Sequence, residues 1–177
     1  PWTLIYYMFN LKNKSYDLIK KQNNLISKVL ERLNVFINLH LKNQKKAGAD
    51  VAQIFDSWAG LLKEEDLEKY CILPNKKIVN SCKANDIPTI CFPKGLKENY
   101  KEFIKQVLPD GISIDYDIKP EWAASNFKEI CIQGGMDPKI LIEQEEKKIL
   151  HTVDKYLEVF HNCPYIFNLG HGILPRT

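Results

Sequence analysis

The stretch Val51-Ala52-Gln53-Ile54-Phe55-Asp56 is a short, mostly apolar run that follows Gly48 and stops at the hydroxyl of Ser57. A run of this length between a turn residue and a polar residue predicts a buried β-strand with polar groups at its carboxyl end. Four further segments, rich in β-branched or aromatic residues, have the same character: residues 87–92, 111–115, 129–133 and 165–168. The sequence therefore predicts at least five short strands.

Segments with a helical spacing of apolar residues lie between these strands. The predicted helices cover residues 14–46, 61–70, 74–84, 95–107, 119–126 and 137–161. Strands that alternate with helices are typical of parallel strands joined by right-handed crossovers, so the predicted fold class is α/β. The last helix should begin with Asp137 as its cap and Pro138 as its first residue. A sixth strand over residues 3–8 also fits, and it would place Tyr6 and Tyr7 on opposite faces.

Polar residues cluster at the predicted carboxyl ends of the strands: Asp56, Ser57, Gln133, Asn168 and His171. Barrel enzymes place their chemistry at this edge, and open α/β sheets bind ligands there. Five or six strands are fewer than the eight of a closed barrel, which typically needs about 250 residues. We therefore predict one partial domain over residues 1–177.

Composition excludes several classes of protein. The chain has 177 residues, of which 45% are hydrophobic, so it can bury a core and is not a disordered segment. The net charge of +3 is too small for a nucleic-acid footprint or a polybasic membrane surface. No apolar run approaches the roughly 20 residues of a membrane span, and the N-terminal residues lack the basic stretch, short apolar run and small-residue cleavage site that are typical of a secretory leader. We expect a soluble protein that binds neither nucleic acid nor membrane.

The cysteines and arginines limit which kinds of binding site the chain can form. Five cysteines with no C-x-x-C pair argue against a disulfide framework and favour a reducing cytoplasm. Only Arg32 and Arg176 offer a rigid bidentate fork for carboxylates or phosphates. The pair His161 and Cys163 is an H-x-C that could bind zinc, but no third ligand stands at a suitable interval, so we favour a structural role.

Three candidate residues remain open when they are taken singly. Ser57, with Asp56, either belongs to a site or caps the following helix. His171 lies between two glycines, which leaves its imidazole uncrowded and lets backbone approach a ligand. Tyr7 is either a phenol donor in a pocket or an aromatic core residue. No nucleotide loop, H-E-x-x-H zinc pattern or G-x-S-x-G elbow is present.

Five segments together resemble the uroporphyrinogen decarboxylase family in order and spacing along nearly all of the chain. They are P-W-T-L at 1–4 with Y-M at 7–8, G-A-D-V-A-Q-I-F-D-S-W-A-G at 48–60, P-T-I-C-F-P-K-G at 88–95, Q-G-G-M-D-P at 133–138 and I-F-N-L-G-H-G-I at 166–173. The chain departs from the family pattern at Gly135, where asparagine is usual, and at Tyr116, where tryptophan is common. It also lacks the glycine-rich turn that tends to follow the Y-M pair.

The resemblance implies a (β/α)8 TIM barrel, of which this chain is the C-terminal part. It implies a cytoplasmic homodimer without metal or organic cofactor. That enzyme converts the four acetate side chains of uroporphyrinogen III, an anionic tetrapyrrole, to methyl groups, giving coproporphyrinogen III in haem biosynthesis. It also implies that Tyr7, Ser57 and His171 are catalytic and substrate-binding, and that Phe55 lines the substrate cleft. These side chains would form one wall of the cleft.

The family's central aspartate and its arginines lie in segments that precede the first residue of this chain. We therefore expect this segment alone not to decarboxylate its substrate. One alternative is an inactive half-barrel, or one that needs a complementary half. Another is a related corrinoid-dependent methyltransferase that binds zinc through an H-x-C and a later cysteine.

Overall fold

The computed structural model of the chain describes residues 1–13, 17–143, 145–175 and 177. These residues divide into two compact units, Pro1–Pro109 and Asp110–Thr177, and each is described by itself. No helix in the described segments is long and apolar enough to cross a membrane. The prediction of a single partial domain over residues 1–177 stays a prediction.

The first unit contains six helices and two strands among its described residues. In chain order they are α1 (Trp2–Met8), α2 (Asp17–Lys21), α3 (Asn23–Lys46), β1 (Ala52–Phe55), α4 (Glu64–Leu67), α5 (Leu73–Lys83), β2 (Thr89–Phe92) and α6 (Tyr100–Val107). A π-helical turn, Glu68–Ile72, joins α4 to α5. The strands β1 and β2 are parallel, with Ala52 opposite Thr89 and Phe55 opposite Phe92.

The second unit repeats the alternation of strands and helices. Its elements are β3 (Gly111–Ile114), α7 (Pro120–Asn126), β4 (Cys131–Gly134), α8 (Ile140–Glu143), α9 (Glu146–Val159) and β5 (Tyr165–Ile166). The strand β4 pairs in parallel with β3 and with β5. All five predicted strands are thus confirmed, and each parallel pair within a unit is joined through helices, as the α/β class requires.

The sixth strand predicted over residues 3–8 is wrong, because this segment forms the helix α1. Trp2, Ile5 and Tyr6 are buried, and their spacing of three and four residues is that of one helical face. Tyr7 consequently lies about 100° around the helix from Tyr6, rather than on the opposite face of a strand. Every residue of the segment is apolar or aromatic apart from Thr3. The pattern of polar and apolar residues that distinguishes a helix from a strand is therefore missing here.

Four predicted helices are joined or interrupted in the structure. The helices predicted over residues 61–70 and 74–84 run into one another through the π-helical turn. The helix predicted over 14–46 starts in a segment outside the described residues, and its described part is interrupted at Gln22, between α2 and α3. The helix predicted over 137–161 is two helices, α8 and α9. Asp137 accepts a hydrogen bond from the backbone N–H of Lys139 at 2.9 Å in a local turn, so the helical residues begin later.

One hydrophobic cluster of the first unit surrounds α1. Its buried members come from α1, from the residues that follow it, from α3 and from the π-helical turn: Trp2, Ile5, Tyr6, Leu11, Ile19, Ile26, Leu30 and Tyr70. The rings of Trp2 and Tyr70 lie 5.4 Å apart. Since an isolated helix of seven residues is unstable in water, this packing and the capping described below hold α1 in place.

The turns that follow β1 and β2 touch through glycine backbone. A Cβ atom on Gly60 would lie 2.5 Å from the carbonyl oxygen of Gly95, closer than any real contact. The N–H of Gly60 also donates to the carbonyl of Lys94 at 2.9 Å. Glycine is therefore required at position 60, and the close approach fixes the two turns relative to each other.

We predict that Gly60→Ala lowers the free energy of unfolding by about 1–3 kcal/mol, the usual cost of forcing an extra carbon into a packed site. Urea denaturation followed by circular dichroism measures the change. Gly172→Ala is the matched control, since a Cβ atom there would have no neighbour within 4 Å. Equal midpoints for the two variants would contradict the prediction.

Candidate active site

Tyr7 projects from α1 with 64% of its surface exposed. Its ring lies edge-on to the indole of Trp58, with 6.3 Å between the ring centroids. The neighbouring ring of Tyr6 is buried and stacks on the same indole at 4.8 Å. Trp58 thus anchors α1 next to the turn that follows β1. The phenol of Tyr7 is accessible to a ligand, as a donor in a site requires, and the alternative of an aromatic core residue is wrong.

Phe55 and Ser57 lie at the carboxyl end of β1, on either side of a buried residue. Phe55 is 57% exposed, and its ring meets the ring of Phe92 on β2 edge-on at 6.1 Å. Ser57 is partly exposed in the turn, directly before Trp58. The first unit thus places the Tyr7 ring against Trp58, the residue that follows Ser57, and leaves Phe55 open at the strand end.

Asp56, between Phe55 and Ser57, points inward and is 1% exposed. Its carboxylate accepts hydrogen bonds from the backbone N–H of Thr3 at 2.7 Å and from that of Trp2 at 3.3 Å. It therefore caps α1, which precedes it in the chain, by satisfying N–H groups that a helix start leaves unpaired. The hypothesis that Asp56 caps the helix that follows it is therefore wrong, because Asp56 caps α1 instead.

Two further side chains complete this hydrogen-bonded cluster. The hydroxyl of Thr3 donates to Asp56 at 3.0 Å and accepts from the backbone N–H of Trp58 at 3.2 Å. The side-chain amide of Asn75, on α5, donates to Asp56 at 3.0 Å. Sequence reasoning missed both residues, because a threonine near a helix start and an asparagine within a helix carry no signal of a partner more than fifteen positions away.

His171 lies in the second unit and is exposed, as the flanking glycines predicted. The backbone N–H of Gly172 donates to its Nδ1 at 2.7 Å. Because Nδ1 accepts this bond, the proton of the neutral ring sits on Nε2. His171 thus presents Nε2–H as a hydrogen-bond donor, which suits a carboxylate ligand.

The segment that carries His171 is fixed by its neighbour Gly170. The N–H of Gly170 donates to the carbonyl of Met136 at 2.7 Å. A Cβ atom on Gly170 would lie 2.4 Å from the backbone nitrogen of Tyr116, so the two backbones are in contact. These two contacts hold the start of the histidine loop against the residues that follow β3 and β4.

Two tyrosines hold the Gly134-Gly135 turn after β4. The hydroxyl of Tyr165 donates to the carbonyl of Gly134, and that of Tyr156 to the carbonyl of Gly135, both at 2.8 Å. Burial raises the pKa of Tyr156 to about 12 and also raises the pKa of Tyr165. Gly135 has a φ of +100°, a backbone conformation that glycine adopts more readily than any other residue.

The remaining predicted polar residues have local partners. Gln133 is buried, and its side-chain nitrogen donates to the hydroxyl of Ser113 at 3.4 Å. Asn168 is exposed, and its side-chain oxygen accepts from the N–H of Leu169 at 2.8 Å. Both side chains are uncharged, and both make hydrogen bonds within the second unit.

The H-x-C pair does not converge on a common point. His161 contacts the carbonyl of Glu158 through Nδ1 at 2.7 Å, whereas the thiol of Cys163 points to the carbonyl of Ala124 at 3.8 Å. Over the residues that the structure describes, no three His, Cys, Asp or Glu side chains form a group that could hold a metal ion. This geometry favours the structural interpretation of the pair.

Parallel strands alternate with helices in both units, and polar groups follow the strands, so the chain is of the α/β class. More specifically, the chain belongs to the uroporphyrinogen decarboxylase family, whose sequence model matches residues 1–177. The family has the TIM-barrel fold, which confirms the predicted fold class. The family resemblance recognised in the sequence is likewise confirmed.

Several curated proteins named uroporphyrinogen decarboxylase are similar to the whole of this chain. The chain is 41% identical to that of Rickettsia bellii (strain RML369-C), 37% identical to that of Orientia tsutsugamushi (strain Boryong) and 35% identical to that of Cereibacter sphaeroides (strain ATCC 17025 / ATH 2.4.3). Each comparison covers 100% of this chain and 54% of the relative. The chain thus spans about half the length of the relatives it matches.

We predict that Tyr156→Phe makes stability less dependent on alkaline pH. A phenol titrates near pH 10 in an unfolded chain, and the folded chain holds this proton up to about pH 12. The folded state therefore binds the proton more tightly, so the stabilising contribution is complete below about pH 10 and is lost as the pH rises through about 12. Urea midpoints measured between about pH 9 and pH 11 should fall more steeply for the wild type. If the urea midpoints of the two proteins fall equally with pH, the raised pKa of Tyr156 is contradicted.

Proposed function

We propose that this chain is part of a uroporphyrinogen decarboxylase, an enzyme that removes carbon dioxide from the four acetate groups of uroporphyrinogen III to give coproporphyrinogen III. The observation that carries the proposal is the family match over all 177 residues, together with 41% identity to a protein of that name. The proposal includes the cytoplasmic homodimer that the family resemblance implies.

The reaction needs an electron sink, because cleavage of the bond to the carboxylate leaves an electron pair on the side-chain carbon. In the absence of an organic cofactor, the substrate supplies the sink when its own pyrrole ring is protonated. The electron pair moves into the ring as carbon dioxide leaves, a proton then converts the side-chain carbon to a methyl group, and loss of the proton first added to the ring restores the pyrrole. The protein must therefore deliver protons, hold carboxylates and stabilise positive charge near the pyrrole.

The candidate residues suit the carboxylate-holding part of this task. Tyr7 and Ser57 offer hydroxyl donors, and His171 offers Nε2–H. The exposed ring of Phe55 provides an apolar surface for a pyrrole. We propose that these four residues contact the substrate. A hydrogen bond from a neutral donor to a charged oxygen is stronger than one between neutral groups, so each donor contributes measurably to binding.

Arginines, which bind carboxylates through two parallel hydrogen bonds, are scarce in this chain, whose other cationic side chains are lysines. Arg32 is exposed on α3, and Arg176 lies outside the described residues. We propose that the family's aspartate and arginines, in a segment corresponding to the other part of the relatives, complete the site. Under this proposal the present chain by itself binds weakly and does not turn over its substrate.

Turnover assays on defined mixtures test the proposal. Uroporphyrinogen III is incubated with this chain alone, with the remaining segment of the Rickettsia bellii relative alone, and with both, and coproporphyrinogen is measured after oxidation. We expect product only in the mixture. Turnover by this chain alone would dispose of the dependence on a second segment, and no turnover in any arm, with both proteins folded, would count against the activity.

We predict that Tyr7→Phe and His171→Asn each slow decarboxylation in the active mixture by about ten- to a hundredfold, the effect of losing one hydrogen bond to a charged group. His40→Asn is the matched control, because His40 is exposed on α3. Circular dichroism checks that all variants are folded. Wild-type rates for Tyr7→Phe and His171→Asn would remove both residues from the site.

A further inference from the structure

The carboxylate of Asp56 joins elements that are distant in sequence. Its Oδ1 accepts from the N–H and the hydroxyl of Thr3, and its Oδ2 accepts from the N–H of Trp2 and from the side-chain amide of Asn75. Both Asp56 and Asn75 are 1% exposed. A buried carboxylate with four donors is far better satisfied than a helix cap needs, so its arrangement determines where α1 lies.

Asn75 ties this carboxylate to the π-helical turn. The nitrogen that donates to Asp56 at 3.0 Å also donates to the carbonyl of Cys71 at 2.8 Å. A π-helical turn inserts one residue into a helix and is frequent at functional sites. Here it presents Tyr70 to the ring of Trp2 while α5 presents Asn75 to Asp56. Both contacts act on the first turn of α1.

The position of α1 fixes that of Tyr7. Tyr7 is four residues after Thr3, so the two lie on the same face, one helical turn apart. The hydroxyl of Thr3 also accepts from the N–H of Trp58, next to Ser57. A shift at Thr3 would thus change both the Tyr7 phenol and the turn that carries Ser57.

We propose that Asp56 and Asn75, acting through Thr3, are positioning residues that set the Tyr7 phenol relative to the Ser57 turn. The role in substrate binding rests on the proposed function. The geometric role does not, and it is testable without substrate. Neither residue contacts the substrate under this proposal, because both are buried beneath the exposed side chains.

The first experiment measures the position of the Tyr7 ring in the free chain. Tyrosines are labelled with 3-fluorotyrosine, and the ¹⁹F resonance that disappears in Tyr7→Phe is assigned to Tyr7. The indole of Trp58, 6.3 Å away, makes this resonance sensitive to ring position. We expect Asp56→Asn, Asn75→Leu and Thr3→Val to shift the Tyr7 resonance and to leave that of the fully buried Tyr100 unchanged.

The variants are chosen to keep the test decisive. Asp56→Asn turns an NH₂ group toward donors, whereas Thr3→Val keeps the side-chain shape and removes only the bridging hydroxyl. If Asp56→Asn does not fold, Thr3→Val and Asn75→Leu carry the test. Asp50→Asn is the matched control, because Asp50 is an exposed carboxylate shortly before β1. An unshifted Tyr7 resonance in the folded variants would overturn the proposal.

The second experiment is a double-mutant cycle on the affinity for uroporphyrin in the mixture of both segments. Thr3→Val and Tyr7→Phe should each weaken binding by about tenfold. Because Thr3 acts through Tyr7 as well as through the Ser57 turn, the two substitutions together should weaken binding by less than the product of their separate effects, whereas independent effects multiply. Multiplied effects would overturn the positioning role. Absence of binding by the wild type would instead count against the proposed function and would leave the ¹⁹F result intact.

Discussion

The first unit depends on one buried carboxylate. Asp56 leaves the end of β1 pointing inward, and its oxygens take the unpaired N–H groups at the start of α1. A seven-residue helix has too few internal hydrogen bonds to persist in water, so this cap and the packing of Trp2 and Tyr6 replace them. The alternation along β1 then leaves Phe55 and Ser57 outside, on either side of the buried Asp56. The inward-pointing Asp56 thereby holds α1, which carries Tyr7, next to the strand end that carries Phe55 and Ser57.

Local sequence predicted the strands well, because short apolar runs that end at Ser57 or Gly134 are bounded by residues that do not continue a strand. The same reasoning failed for residues 3–8, where nearly every residue is apolar and periodicity gives no contrast. What decides the helix there is Asp56, more than fifty positions away. The sequence did not predict the π-helical turn either. The residue that this turn inserts becomes apparent only in the structure, where the turn joins α4 to α5.

For the candidate site, too, the sequence predicts some features and not others. The exposure of His171 followed from Gly170 and Gly172, and the position of Ser57 followed from the strand end. The protonation of His171 on Nε2 did not, since it depends on a bond that the Gly172 N–H makes to Nδ1. The roles of Thr3 and Asn75 did not either, because both are set by tertiary contacts with Asp56. The exposed candidate side chains were thus easier to predict than the buried ones that hold them in place.

Under the proposed function, the candidate side chains of this chain are hydroxyl and imidazole donors, and arginines would come from another segment. A hydroxyl or a neutral imidazole orients a carboxylate without neutralising it, whereas an arginine does both. A donor that attracts a carboxylate less strongly than an arginine depends more on being held in the right place. Close backbone contacts at Gly60 in the first unit, and at Gly170 in the second, fix the turns in which these glycines lie. Asp56 has the same effect on α1, because its carboxylate binds the N–H groups at the start of the helix that carries Tyr7.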